Sequence, residues 1–186
     1  MGSCSWPKGD PLMVRYHDKE WGKPVKDDRK IFEFLILESA EAGLSWLTVL
    51  RKREGYRRAF ADFKPRRVAR FGAPDVSRLV KNPAIIRNRL KIEAAINNAK
   101  RFLEVQKEFG TFSKYMWSFV GARPIDGKRR GLENLPAMTK ESETFAGDLK
   151  RRGFKFLGPT VVYAHMQAVG MVNDHVLSCF RYKELK

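Results

Sequence analysis

The amino-acid sequence predicts an all-α protein, and three observations carry that prediction. Apolar residues recur at helical spacing along nearly the whole chain, capping residues stand ahead of several of these stretches, and no convincing run of period-two alternation appears. The length of 186 residues suits one domain, or two small lobes that share a core. The hydrophobic share of 43% is enough to pack that core.

The elements follow in chain order. Asp10-Pro11 sets an N-cap residue before a proline at the first helical position, where its missing N–H is no loss. It opens a helix expected to carry Tyr16, His17 and Trp21. Asp27-Asp28 caps a second helix, which runs to about Ala42 and stops at Gly43, since glycine tolerates the left-handed conformation that ends a helix. A third starts near Ser45. Further helices are expected over 74–80, 85–105, 112–120, 140–151 and 159–170. Residues 76–99 therefore read as helix, a short turn at Asn82-Pro83-Ala84, and helix. The stretch 121–141 differs, with Pro124, Gly127, Gly131 and Pro136 around Lys128-Arg129-Arg130, and reads as a long exposed loop. There is no internal repeat.

The charge narrows the partners. Lys and Arg number 37 against 21 Asp and Glu, a net charge of +16, and the pI is near 10.1. Such a surplus exceeds what solubility needs and implies a polyanion, either nucleic acid or an anionic membrane. The basic residues are spread over several segments instead of one amphipathic helix, which favours nucleic acid. No stretch is apolar for the width of a bilayer. The first residues lack an apolar signal core and miss the myristoylation pattern. A cytoplasmic, nucleoid-associated monomer with no membrane partner is expected. Two cysteines give no disulfide framework and fit a reduced compartment.

The second helix carries the chemistry. Ile31, Phe34 and Leu35 lie seven, four and three residues before Glu38, so all four share one stripe. A carboxylate amid that apolar face costs on the order of several kcal/mol unless something compensates it. Glu41 follows one turn later and should raise the proton affinity of its neighbour. One reading of Glu38 is a buried salt bridge to one of the many arginines. The other is a binding site, because Trp6, Tyr16, Trp21 and Trp46 all fall within the first 46 residues. Rings beside a buried carboxylate suit a flat, cationic heterocycle, stacked on its faces and hydrogen-bonded at its edge.

Cys4 and Cys179 are the chain's two cysteines, and His17 and His175 lie near them in sequence. His175 and Cys179, four apart, would share one helix face. Two thiols and two imidazoles make a closed tetrahedral zinc set that holds a fold and does no chemistry. Two unrelated thiols and two ordinary histidines fit the spacing equally. His165 reads as a packing residue or a DNA contact. Basic runs at 87–91, 128–130 and 150–155 suit phosphate contacts, and a hairpin over 76–99 can aim backbone amides at a phosphate.

The chain resembles the 3-methyladenine DNA glycosylase I family of the helix-hairpin-helix glycosylase superfamily. The resemblance spans nearly the whole length: Cys4-Ser5-Trp6; Tyr16-His17-Asp18-Lys19-Glu20-Trp21-Gly22; Ala42-Gly43-Leu44-Ser45-Trp46; the run from Ile85 to Ile92; the run from Lys150 to Phe156; Met166-Gln167-Ala168; and Val172-Asn173-Asp174-His175. It implies a helix-hairpin-helix glycosylase fold with two helical lobes and a cleft, approximately 26–112 and 1–25 plus 113–186, whose termini are joined by structural zinc on Cys4, His17, His175 and Cys179. It implies a base pocket around catalytic Glu38, with Trp6, Tyr16, Trp21 and Trp46 as its walls, and Glu41 stands beside them as a further substrate-binding candidate of this chain's own. Gly43 and Leu44 would lie where the flipped nucleotide leaves the stack, and Pro83, Ala84, Ile85, Arg87 and Lys91 would hold the backbone of double-stranded alkylated DNA. The implied activity is monofunctional excision of 3-methyladenine in base excision repair. The family pattern usually has glycine at the place of Ser39 and glutamine at that of Glu41, and the wider superfamily has a hairpin glycine pair and a catalytic aspartate that this chain lacks. The rival readings are a non-catalytic, zinc-stapled nucleic-acid-binding module and a glycosylase for another alkylated base.

Overall fold

The structure, a computed structural model, describes residues 2–186, Asn134 by its backbone alone. Among the described residues the chain forms eleven α-helices. They are α1 (Pro11–Lys19), α2 (Asp28–Glu41), α3 (Trp46–Arg51), α4 (Arg53–Ala59), α5 (Pro65–Val68), α6 (Ala73–Val80), α7 (Arg89–Phe109), α8 (Phe112–Ser118), α9 (Lys140–Arg151), α10 (Pro159–Ala168) and α11 (Phe180–Glu184). The expected class holds with one addition. Strands β1 (Ile125–Asp126) and β2 (Val172–Asn173) pair in parallel, each too short to show a period in sequence. No described helix is long and apolar enough to cross a membrane.

The caps act as their residue types dictate. Asp10 accepts from the amides of Leu12 and Met13, Asp27 from that of Lys30, and Ser45 from that of Thr48. Helix α2 ends at Ala42 and Gly43 takes a φ of +78°, the left-handed turn expected of a glycine there. Three expectations need correction. Helix α1 stops at Lys19, so Trp21 lies beyond its C-cap. The long helix α7 begins at Arg89 instead of 85, because the Asn88 side chain accepts from the Lys91 amide and fixes the start. His175 and Cys179 do not share a helix: Val176 bridges Arg129, Cys179 bridges Gly2, and the segment between is a turn. Helices α4 and α5 had no assignment in the sequence reading, because five basic side chains across them dilute the apolar pattern.

Helix α2 is the axis of the core. Residues Ile31 to Ala40 are all buried, packed against α3, α7, α8 and α10. A helix covered on every side carries no solvent face, so the single apolar stripe read from the sequence understates it. Its first residue, Asp28, accepts from the amides of Phe112 and Ser113 and so holds the start of α8. The stretch 121–141 is not a free loop. Strand β1 pins it, and Arg129 is ion-paired to the fully buried Asp174 at 2.8 Å.

The turn before α7 rests on α4 at one point of close approach. A Cβ added to Gly55 stands 2.1 Å from the carbonyl oxygen of Ala84. Backbone cannot yield there cheaply, so Gly55→Ala is expected to cost about 1–3 kcal/mol in urea denaturation. An unchanged midpoint would show that the turn is not seated on α4.

Candidate functional site: an aromatic cavity around a buried acid

Between α1, α2, α3 and α10 lies a cavity of about 220 Å³. Helix α1 contributes Met13 and Tyr16, α2 contributes Glu38 and Glu41, and α3 opens on Trp46. Trp6 and Trp21 come from the flanking turns, Leu135 from the 121–141 stretch, and Ala164 and Gln167 from α10. The rings stand at angles to one another: Trp6 to Trp21 at 5.2 Å and 66°, Tyr16 to Trp46 at 5.2 Å and 49°. The sequence-predicted pocket residues Trp6, Tyr16, Trp21, Glu38, Glu41 and Trp46 therefore meet in one place. The indole N–H groups of Trp6 and Trp46 are buried and find no acceptor among the described residues.

Two glutamates of α2 separate the salt-bridge reading from the site reading. Glu33 is buried and paired, with Arg53 at 2.7 Å and Arg57 and Lys30 at 3.1 Å. Glu38, five residues on and 4% exposed, has no cation acting on it among the described residues. Burial pushes its carboxyl well above the ordinary range, and the charge and hydrogen bond of Glu41 push it further. Burial also raises Glu41, while its hydrogen bond with Glu38 opposes that rise. Burial and the Glu38 charge drive the Tyr16 hydroxyl upward too, so it stays neutral.

The sequence reading missed Met13, Leu135, Ala164 and Gln167. Gln167 carried a signal, being the one amide side chain on α10. Its Nε2 donates to the Asp174 carboxylate at 2.8 Å, which also accepts from Tyr163 and Arg129 and so fixes the amide at the cavity wall. His165, next to the lining residue Ala164, is fully buried with neither ring nitrogen partnered among the described residues, and burial holds it down at about 3.

Cys4, His17, His175 and Cys179 converge, all buried, with ligand atoms within 4.8 Å of one another. Nδ1 of His175 lies 3.6 Å from each sulfur and 3.1 Å from Nε2 of His17, itself 3.6 Å from Sγ of Cys179. A tetrahedron with metal–ligand bonds of about 2.0–2.3 Å has edges of roughly 3.3–3.8 Å, which these separations approach. The remaining ring nitrogens are oriented from outside: His17 Nδ1 by Asp18 at 2.7 Å, His175 Nε2 by the Trp21 carbonyl at 3.1 Å. The set could hold a metal ion.

The residues expected at DNA divide. Gly43 and Leu44 are exposed at the end of α2, beside the cavity rim. Pro83 and Arg87 are exposed on the turn before α7. Ile85 is buried and anchors that turn in the core. Lys91 is engaged within the protein, its ammonium donating to the carbonyls of Ala40 and Ala42 at the C-terminal end of α2. Among the other basic runs, Arg129 is held by Asp174, and Arg152 by Glu108 and Asp148. Lys128, Arg130, Lys150, Arg151 and Lys155 face solvent, Arg151 in an ion pair with Asp148.

Comparison with known proteins agrees along the whole chain. The profile of the family described as methyladenine glycosylase matches residues 6–182. DNA-3-methyladenine glycosylase 1 of Escherichia coli (strain K12) is 46% identical over 182 residues, 98% of this chain and 97% of the relative. A crystal structure of a 3-methyladenine DNA glycosylase I superposes with a TM-score of 0.94 at 47% identity, covering 96% of this chain and 98% of that one. A variant of 3-methyladenine DNA glycosylase I in complex with 3-methyladenine superposes with a TM-score of 0.94 at 39% identity, covering 97% of each chain.

The buried acid sets a stability test. A carboxyl raised in the folded state favours folding at low pH, and that contribution is lost as pH rises from the ordinary carboxylate range towards the folded value. Glu38→Gln is therefore expected to melt higher than the wild type at neutral pH, with the gap closing as pH falls through that ordinary range. A gap independent of pH would show that Glu38 ionises without penalty.

Proposed function

The chain belongs to the methyladenine glycosylase family, and from that premise we propose that it flips 3-methyladenine out of double-stranded alkylated DNA and hydrolyses its N-glycosidic bond, in base excision repair. One observation carries the reading: an acid without a cationic partner, buried in a ring-lined cavity. A site that withholds its own positive charge from a carboxyl is fitted for a ligand that brings one.

The chemistry asks little of the protein. Methylation at N3 makes the nucleobase a cation, and the glycosidic electron pair returns to the ring as the bond to C1′ breaks. The base departs neutral, water adds its hydroxyl to C1′, and the surplus charge leaves as a proton. Glu38 accepts from the adenine edge and stabilises positive charge while the bond breaks. Tyr16 and Trp46 stack on the ring, and Trp6 and Trp21 close the far wall. The free indole N–H groups meet ring acceptors. Flipping costs a few kcal/mol and is cheapest for a damaged base. Normal adenine is neutral, with a stronger glycosidic bond and weaker stacking. No lysine is among the residues that line the cavity, and Lys91 is held by α2, so no covalent lyase step follows.

The remaining assignments belong to the same reading. Leu44, on the turn of Gly43, stands where it can fill the space of the flipped nucleotide. Pro83, Ala84 and Arg87 on the turn before α7 present the backbone contact, with Ile85 as its buried anchor. The cavity draws walls from both proposed lobes, Glu38, Glu41 and Trp46 from 26–112 and the others from 1–25 plus 113–186. One structural zinc on Cys4, His17, His175 and Cys179 ties the termini. Burial pushes the Cys4 thiol up to about 12, so its thiolate needs a cation beside it.

Incubating the protein with methylated duplex DNA should release 3-methyladenine, identified by mass. Glu38→Gln should slow that release by on the order of a hundredfold; undiminished release would remove Glu38 from the mechanism. Neutralising about five phosphates gives a log–log salt slope of roughly −4 to −5, and a flat response would assign the basic surface elsewhere. Elemental analysis should find one zinc per chain, with Cys179→Ser lowering both zinc content and melting temperature. Full stability without zinc would refute the staple.

A further inference from the structure

Glu41 is the cavity residue whose chemistry that mechanism leaves unused. It is the last residue of α2, one turn beyond Glu38, and both carboxyls line the same cavity. Among the described residues no lysine or arginine acts on either. Arg53 and Lys30 are held by Glu20 and Glu33, and Lys91 on α7 spends its donors on the Ala40 and Ala42 carbonyls. Tyr16 faces the pair from α1 as a neutral phenol. Trp46 from α3, Leu135, and Ala164 and Gln167 from α10 do not titrate, and His165 of α10 is neutral.

Two carboxyls so placed, with no cation to share, cannot both be charged at low cost. We propose that Glu41 is a second acidic member of the base pocket, which shares one proton with Glu38 while the cavity is empty and gives it up to solvent when a positively charged purine enters, so that Glu41 sets how strongly the pocket prefers the cation to neutral adenine. The inference rests on the base-pocket reading above. Its charge balance is simple. The empty pair with one proton carries one negative charge; the ionised pair with a monocation carries the same. One positive charge is exchanged for another, so no net charge is moved into the low-dielectric interior. A neutral purine brings nothing to exchange and leaves the proton in place.

The probes are 3,9-dimethyladeninium, a permanent cation whose N9 methyl stands for the sugar carbon, and neutral 9-methyladenine. Calorimetric titration in buffers of different ionisation enthalpy counts the protons released. For the wild type, cation binding should release close to one proton, and affinity should rise about tenfold per pH unit until the pair ionises unaided, then level off. The neutral probe should release none. In Glu41→Gln the levelling should come at lower pH, because the neighbouring charge is gone, and the preference for the cation at the plateau should fall about tenfold. Glu41→Asp, which keeps the acid, should restore both. The same proton count, levelling point and preference in Glu41→Gln would overturn the proposal. If excision then still required Glu38, the base-pocket reading would stand without it; if Glu38→Gln also excised normally, both would fall.

Discussion

The organising constraint is an acid kept inside the protein without a positive charge to balance it. Helix α2 is buried along ten residues and carries two glutamates in that span. The protein surrounds Glu33 with Arg53, Arg57 and Lys30, and leaves the other among rings with no cation from the described residues. Both carboxyls face the same cost of desolvation. Only the first is relieved from within. The asymmetry on one helix makes a structural account of Glu38 hard to sustain, and it concentrates the chemistry of the whole chain at the Glu38–Glu41 turn.

The rest of the architecture holds the walls around that turn in place. Residues of the Cys–His cluster alternate with those of the cavity. Trp6 follows Cys4 by two positions, Tyr16 precedes His17, and the Trp21 carbonyl orients the His175 ring, which lies 4.6 Å from the Trp21 indole. A metal ion held by this cluster would thus also clamp the aromatic walls. The opposite wall is held by a third buried acid, Asp174, which gathers Arg129, Tyr163 and Gln167 beside His175. Lys91 ties the start of α7 to the end of α2 and satisfies carbonyls that no later turn of helix can reach.

Much of this was legible in the chain. The caps Asp10, Asp27 and Ser45 and the stop at Gly43 are local, so residue type alone placed them. Glu38 was visible because a charge interrupted an apolar stripe, and the four aromatic residues because they crowd one end of the sequence. What stayed hidden depends on contacts distant in sequence. No periodicity could reveal a two-residue parallel strand pair, or that Arg129 is paired with Asp174, or that Lys91 donates to the last carbonyls of helix α2. Gln167 joins the cavity only because α10 packs on α2. His175 and Cys179 reach the cluster through a turn pinned by Gly2 and Arg129, a geometry that the helical spacing concealed.

The central claim is that Glu38 holds its proton in the empty cavity, awaiting a charge from outside. The most direct measurement is carbon NMR of the protein labelled at the glutamate carboxyls, with the Glu38 resonance assigned by Glu38→Gln and followed through pH. The account predicts a neutral acid that titrates well above the ordinary carboxylate range and ionises on addition of 3,9-dimethyladeninium at fixed pH. A resonance that titrates at the ordinary value, or that ignores the cation, would contradict it.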